Sequence, residues 1–169
     1  MDRRIVIIGF MGCGKTTVAA ALAERLGCAM IDLDAFITDR KGRSPAEIIE
    51  ENGEPAFRAI ETRALQDVLE KNAARVIALG GGAWMIAANR ALVAQHDCLS
   101  VWLDAPFELC WERIQSGGTS RPMAPDRPTA ENLYNDRRVR YGLSELRVDV
   151  CSDSAPELLF NEILRRVNK

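Results

Sequence analysis

Residues 5 to 17 read IVIIGFMGCGKTT. The apolar run Ile5 to Ile8 has strand length and passes at once into Gly9, Gly12 and Gly14, then Lys15, Thr16 and Thr17, and a helix-like run continues to Leu26. Gly9, Gly14, Lys15 and Thr16 have the spacing of a phosphate-cradling loop between a strand and a helix. Glycines let the backbone curl so that its N–H groups face phosphate oxygens, and the helix N-terminus adds partial positive charge. Lys15 reaches the outer phosphates, and Thr16 supplies a hydroxyl to Mg²⁺. Gly12, Cys13, Gly14, Lys15, Thr16 and Thr17 are therefore the expected nucleotide contacts, with no chemistry assigned to the Cys13 thiol. A plain glycine turn with a solvated lysine is the competing reading, and the match of all four positions disfavours it.

Outward from this loop, apolar runs alternate with helical patterns. AMIDLD precedes helical segments to Lys71, VIAL precedes a helix near Ile86 to Ala94, and LSVWL precedes Phe107 to Ile114. That alternation implies βα units around a parallel sheet. Val18, Leu22 and Leu26 recur every four residues, with Gly27 as a stop. Ser44-Pro45 opens a further helix. SGGTSRPMAPDRP, residues 116–128, has two glycines, three prolines and little apolar periodicity, so it reads as a functional lid. A polar helix from Thr129 to about Leu146, a strand over Arg147 to Val150 and a helix from Pro156 complete the chain.

At 169 residues one domain suffices, able to bury about two-thirds of the surface of its unfolded chain. With 22 basic and 24 acidic side chains, the net charge of -2 favours neither nucleic acid nor a membrane face and points to a small substrate. Five cysteines, odd in number and without a CxxC pair, imply reduced thiols that mostly pack, and hence a cytoplasmic setting. No charged-then-apolar leader precedes Ile5, and no apolar run approaches the ~18 residues of a membrane span.

Parallel sheets bind ligands beyond the carboxyl ends of their strands. Strand two ends in Asp32-Leu33-Asp34, where alternation is expected to send both carboxylates to one side. Strand three runs into Gly80, Gly81 and Gly82, which suit a ligand pressed on the backbone. Strand four ends at Asp104. Asp32 and Asp104 compete for the metal; Asp104, just before Ala-Pro-Phe-Glu, reads as a helix N-cap, so Asp32 is favoured. In GEPAFRAIE, Glu61 can fix Arg58 at i+3, although taken alone the pair reads as a surface ion pair. Arg121 lies in the lid, placed to meet a transferring phosphate. Arg137, Arg138 and Arg140 are more arginines than a solvated face needs.

Taken together, GFMGCGKTT, the DLD at Asp32 to Asp34, GRSPAEIIEENGEPAFRAIE from Gly42 to Glu61, LGGGA from Leu79, TSRP around Arg121 and an arginine four residues before Tyr141 resemble the shikimate kinase family over nearly the whole chain. The resemblance implies a P-loop, nucleoside monophosphate kinase-like α/β fold, a three-layer sandwich with a five-stranded parallel sheet and a mobile lid. It implies a monomeric kinase domain over 1–169, with ATP and Mg²⁺, that phosphorylates the 3-hydroxyl of shikimate. By resemblance the shikimate-binding region is about 32–61, with Asp34, Arg58, Gly80, Gly81, Gly82 and Arg137 as ligands. Lys15, Asp34 and Arg121 are implied as catalytic, and Thr16 with Asp32 as the metal site. Arg113, Arg121 and Pro156, with the loop from Ser152, are implied on the nucleotide side. A carboxylate bearing three hydroxyls suits bidentate arginines and an aspartate. The chain departs from the family in following the lid Arg-Pro with Met-Ala, and in Val139, where a proline is usual, so choosing Arg137 over Arg138 rests on the spacing to Tyr141. A related kinase of gluconate or nucleoside monophosphates should lack GExxFRxxE, and a non-catalytic ATP module has no use for Asp34 and Arg121.

Overall fold

The computed structural model describes residues 3–118, 122–152 and 156–167. Five parallel strands, β1 (Ile5–Ile8), β2 (Met30–Asp32), β3 (Val76–Ala78), β4 (Leu99–Asp104) and β5 (Leu146–Asp149), pair in the order β2-β3-β1-β4-β5. In β1, β3 and β4 every residue is buried, so helices cover both faces and the strands need no polar alternation. β1 is central, with Ile5 opposite Val76 on one side and Leu99 on the other. The chain leaves β1 toward β2 and β3 and later returns to β4 on the other side, which makes the end of β1 the switch point where such sheets bind ligands.

Eight helices complete the described fold: α1 (Lys15–Leu26), α2 (Leu33–Lys41), α3 (Pro45–Asn52), α4 (Glu54–Glu70), α5 (Ala87–Gln95), α6 (Phe107–Ser116), α7 (Arg127–Tyr141) and α8 (Pro156–Val167). Val18, Ala19, Leu22 and Ala23 bury the inner face of α1, and Gly27 ends it in the left-handed conformation at φ 59°. α3 begins with the expected Ser44-Pro45, reinforced by a capping box in which Ser44 and Glu47 satisfy each other's backbone N–H. Phe57, Glu61, Ala64, Leu65 and Val68 form the buried stripe of α4, so a glutamate occupies a core position.

Three sequence expectations shift. α7 begins at Arg127, capped by Asp126, and ends at Tyr141; β5 begins one residue earlier than expected. Asp32 and Asp34 are not alternating strand residues: Asp32 ends β2 and caps α2, accepting from Asp34 N and Ala35 N, and Asp34 lies in the first helical turn. Cys13, Cys98 and Cys110 are buried and Cys28 half-buried, whereas Cys151 is exposed, so packing does not describe it. Among the described residues no helix is long and apolar enough to cross a membrane.

Candidate active site

The phosphate loop is built by the turn from β1 into α1. Gly12 holds φ 78°, and a Cβ there would stand 2.7 Å from the Cys110 carbonyl oxygen, so glycine is required on both counts. Gly14 caps α1 with no side-chain hydrogen bond, leaving first-turn N–H groups directed outward for an anion. Lys15 Nζ donates to Gly9 O and Phe10 O, both at 2.9 Å, which holds its charge across the loop. A cavity of about 250 Å³ is lined by Gly12, Gly14, Lys15, Thr16, Thr17, Asp32, Asp34 and the Gly80-Gly81 backbone. Cys13 is absent from that wall: its side chain is buried and its N–H bonds Phe10 O.

Thr16 Oγ1 donates to Asp32 Oδ2 at 2.6 Å, while Asp32 Oδ1 is fixed by the α2 cap. A hydroxyl and a carboxylate oxygen side by side at a phosphate loop are the hard donors Mg²⁺ takes, together with substrate phosphates and water. Among the described residues no cluster of three or more His, Cys, Asp or Glu could hold a metal by itself. Asp104 is not the expected cap: Pro106 immediately precedes α6, and the Asp104 carboxylate is paired with Arg138 and Arg147.

A second cavity, of about 490 Å³, adjoins the first. Asp34, Arg58, Glu61, Gly80 to Gly82, Arg137, Met11, Pro122 and Met123 line it, with the N-terminal half of α3. Met11, Asp34, Gly80 and Gly81 belong to both cavities, so Asp34 stands at the junction. The glycine run is needed for side chains to close in: a Cβ on Gly82 would overlap the Arg58 guanidinium, and one on Gly80 would stand 2.8 Å from Asp34 Oδ1 and 3.0 Å from Glu61 Oε1.

Arg58 and Glu61 are no surface pair. Arg58 Nη1 donates to Glu61 at 2.7 Å and its other nitrogens to Glu54 at 3.2 Å, with Arg58 17 % and Glu61 0 % exposed. Two acids thus set the guanidinium in one orientation. Arg137 is 5 % exposed, its bonding partner is the Tyr141 hydroxyl, and no carboxylate of the described residues pairs with it. Burial draws its proton affinity below that of an ordinary arginine, and Arg58 adds to this. Tyr141, whose hydroxyl donates to Gly81 O at 2.5 Å, and Glu54 and Met123 are site residues that the sequence reading did not single out. Glu61 could have been recognised as buried from its place in the apolar stripe of α4.

Burial, foremost, pushes the Glu61 carboxyl up to about 7; Arg58 opposes this and Asp34 reinforces it. Between pH 4.5 and 7 the folded protein therefore keeps a proton that the unfolded chain has released. Glu61 accordingly contributes stability below about pH 4.5 that is lost as pH rises through 7. Glu61→Gln is expected to flatten the stability profile over that interval relative to wild type, by on the order of 2 kcal/mol. Thermal unfolding of both proteins from pH 5 to 7.5 checks this; parallel profiles would mean that Glu61 titrates as an ordinary carboxyl.

Arg113 Nη1 donates to Gly12 O at 3.2 Å and so lies against the phosphate loop. Arg121 and the residues 153–155 lie outside the described residues; Pro156 opens α8. A phosphate loop at the switch point of a parallel sheet, joined through one aspartate to a cavity with two held arginines, defines a P-loop phosphotransferase acting on a small anion. The sequence profile of shikimate kinases matches residues 11–168. The chain belongs to the shikimate kinase family. It is an ATP-dependent phosphotransferase that places phosphate on the 3-hydroxyl of shikimate, in the route to chorismate and the aromatic amino acids. Shikimate kinase from Ruegeria pomeroyi is 37 % identical over 170 residues, covering 99 % of this chain and 84 % of that protein. The one from Geobacter sulfurreducens is 39 % identical over 160 residues, covering 93 % and 87 %. The structure of the Acinetobacter baumannii shikimate kinase in complex with shikimate superposes with a TM-score of 0.87 at 30 % identity, covering 98 % of this chain and 93 % of that one.

Proposed function

We propose that the transfer takes place at the junction of the two cavities, with ATP phosphates on the loop and shikimate in the larger cavity. The observation that carries this is the sharing of Met11, Asp34, Gly80 and Gly81 by both walls, which makes Asp34 the one titratable side chain common to donor and acceptor cavities. Gly12, Gly14, Lys15, Thr16 and Thr17 hold the phosphates, with Arg113 on the nucleotide side of the loop. Thr16 and Asp32 hold Mg²⁺, which supplies charge neutralisation and orientation of the phosphates when bound. Arg137, buried and without a carboxylate partner among the described residues, takes one side of the acceptor's acid group, and Arg58 takes the other. Gly80, Gly81 and Gly82 let the ring approach the backbone. Asp34 orients the 3-hydroxyl, and Arg121, carried by the lid of about 116–128, meets the charge of the transferring phosphate.

The core supports one kinase domain, since a single cluster runs from Ile5 to Val167. A cytoplasmic monomer is part of the same proposal, in which the buried thiols Cys13, Cys98 and Cys110 support the reducing compartment only. The test is Arg58→Ala in a coupled ADP-release assay with shikimate, gluconate and nucleoside monophosphates. The expected result is turnover of shikimate alone by the wild type, and in the variant a KM for shikimate raised about tenfold with kcat within a few-fold. A variant that lost kcat at unchanged KM would remove Arg58 from acceptor binding.

A further inference from the structure

The carboxylate of Asp104, at the end of β4, receives two arginines from different elements. Arg138 Nη2 donates to Oδ2 at 2.9 Å while its Nη1 bonds Oδ1, a two-pronged pair, and Arg147 Nη2 from β5 reaches the same Oδ2 at 2.9 Å. Asp104 is 5 % exposed. Both guanidinium groups lie over the Trp102 ring, at 5.1 and 5.2 Å. Arg138 also donates to Tyr134 Oη at 2.7 Å, and that hydroxyl donates to Ala105 O at 2.8 Å. Farther along α7, Tyr141 bonds Gly81 O. The helix is thus tied to the end of β4 at Tyr134 and Arg138, and to the glycine run at Tyr141.

Arg137 lies between these ties. Neighbouring residues of a helix point about 100° apart, so one helix can send Arg138 to β4 and Arg137 into the acceptor cavity. Since Arg137 has no carboxylate of its own among the described residues, its guanidinium position follows from the placement of α7. A long side chain magnifies any rotation of its helix. Both Asp104 oxygens are engaged by arginines, so this strand-end aspartate serves the helix and leaves the metal to Asp32 and Thr16.

We propose that Asp104, acting through Arg138, is a positioning residue for shikimate binding: it fixes α7 so that Arg137 meets the acceptor's carboxylate. The inference rests on the reading of Arg137 given above. It assigns to a side chain outside both cavities an effect on one substrate only.

Asp104→Asn keeps the shape but loses charge and one acceptor, leaving the half-buried Arg138 poorly matched. The KM for shikimate should rise about tenfold, with kcat, the KM for ATP and the Mg²⁺ requirement within about threefold of wild type. A purely structural role would not produce that split. The deciding measurement is a double-mutant cycle with Arg137→Lys: once Arg137 is changed, Asp104→Asn should alter the shikimate KM by less than about twofold. Arg138→Lys, which keeps a cation but loses the fork, takes the place of Asp104→Asn in the cycle should that variant not fold. Additive effects on KM, with Arg137→Lys itself raising it, overturn the inference alone. An Arg137→Lys variant with wild-type shikimate KM overturns the reading of Arg137 and this inference with it.

Discussion

Lys15→Ala is expected to lower kcat/KM for ATP and shikimate by at least ~10³-fold, with the melting temperature nearly unchanged. Phosphoryl transfer passes through a loose transition state whose charge spreads over the moving group, so fixed cations do most of the protein's work. Lys15 is such a cation. Its ammonium bridges Gly9 O and Phe10 O at 2.9 Å, so it is placed by the loop and needs little reorganisation as charge develops. Both hydrogen bonds are only part-buried, so water can replace the ammonium, which keeps the cost in stability small. Steady-state kinetics beside thermal unfolding separate the two effects. Turnover near that of the wild type would move the nucleotide away from this loop.

Much of this site was legible because the phosphate loop is local: its spacing, its strand and its helix occupy one stretch of sequence, and backbone geometry does the binding. The parallel sheet was legible for the same reason, since runs such as Ile5 to Ile8 are apolar on both faces only when helices cover both, while the count of five strands came with the family resemblance. What escaped the sequence depends on elements far apart in the chain. Asp104 looked like a cap because Ala-Pro-Phe-Glu follows it, whereas its partners Arg138 and Arg147 are more than thirty residues away. Arg58 and Glu61 look like a weak exposed pair until α4 is packed against the glycine run, which buries the acid entirely. The pair Asp32 and Asp34 was read as strand alternation; a strand that ends at Asp32 and turns at once into α2 brings both to the phosphate cavity by another route. In the sequence, Arg137 is separated from Arg138 by the spacing to Tyr141 alone; that Arg138 pairs with Asp104 depends on a contact across more than thirty residues.

Asp34→Asn is expected to bind ATP normally, by calorimetry or fluorescence, and to lose at least ~10²-fold in phosphorylation of shikimate. Asp34 sits in the first turn of α2, where Asp32 caps the helix beside it, so its place is set by backbone and survives the change to asparagine. Asparagine keeps the shape and gives up charge and basicity. In a loose transition state the hydroxyl proton leaves late, so under the proposed role a carboxylate at this place would mainly orient the attacking oxygen and then accept that proton. Loss of a favourable charge at the start of α2 should cost at most ~1 kcal/mol of stability. A second readout comes from Glu61, whose carboxyl Asp34 helps to push up: with that charge gone, the stability profile attributed to Glu61 should move to lower pH in the variant. Activity within a few-fold of wild type would remove Asp34 from the mechanism. Lost ATP binding would instead assign it to the nucleotide and Mg²⁺, because its position on both cavity walls allows either duty and only the separation of binding from transfer tells them apart.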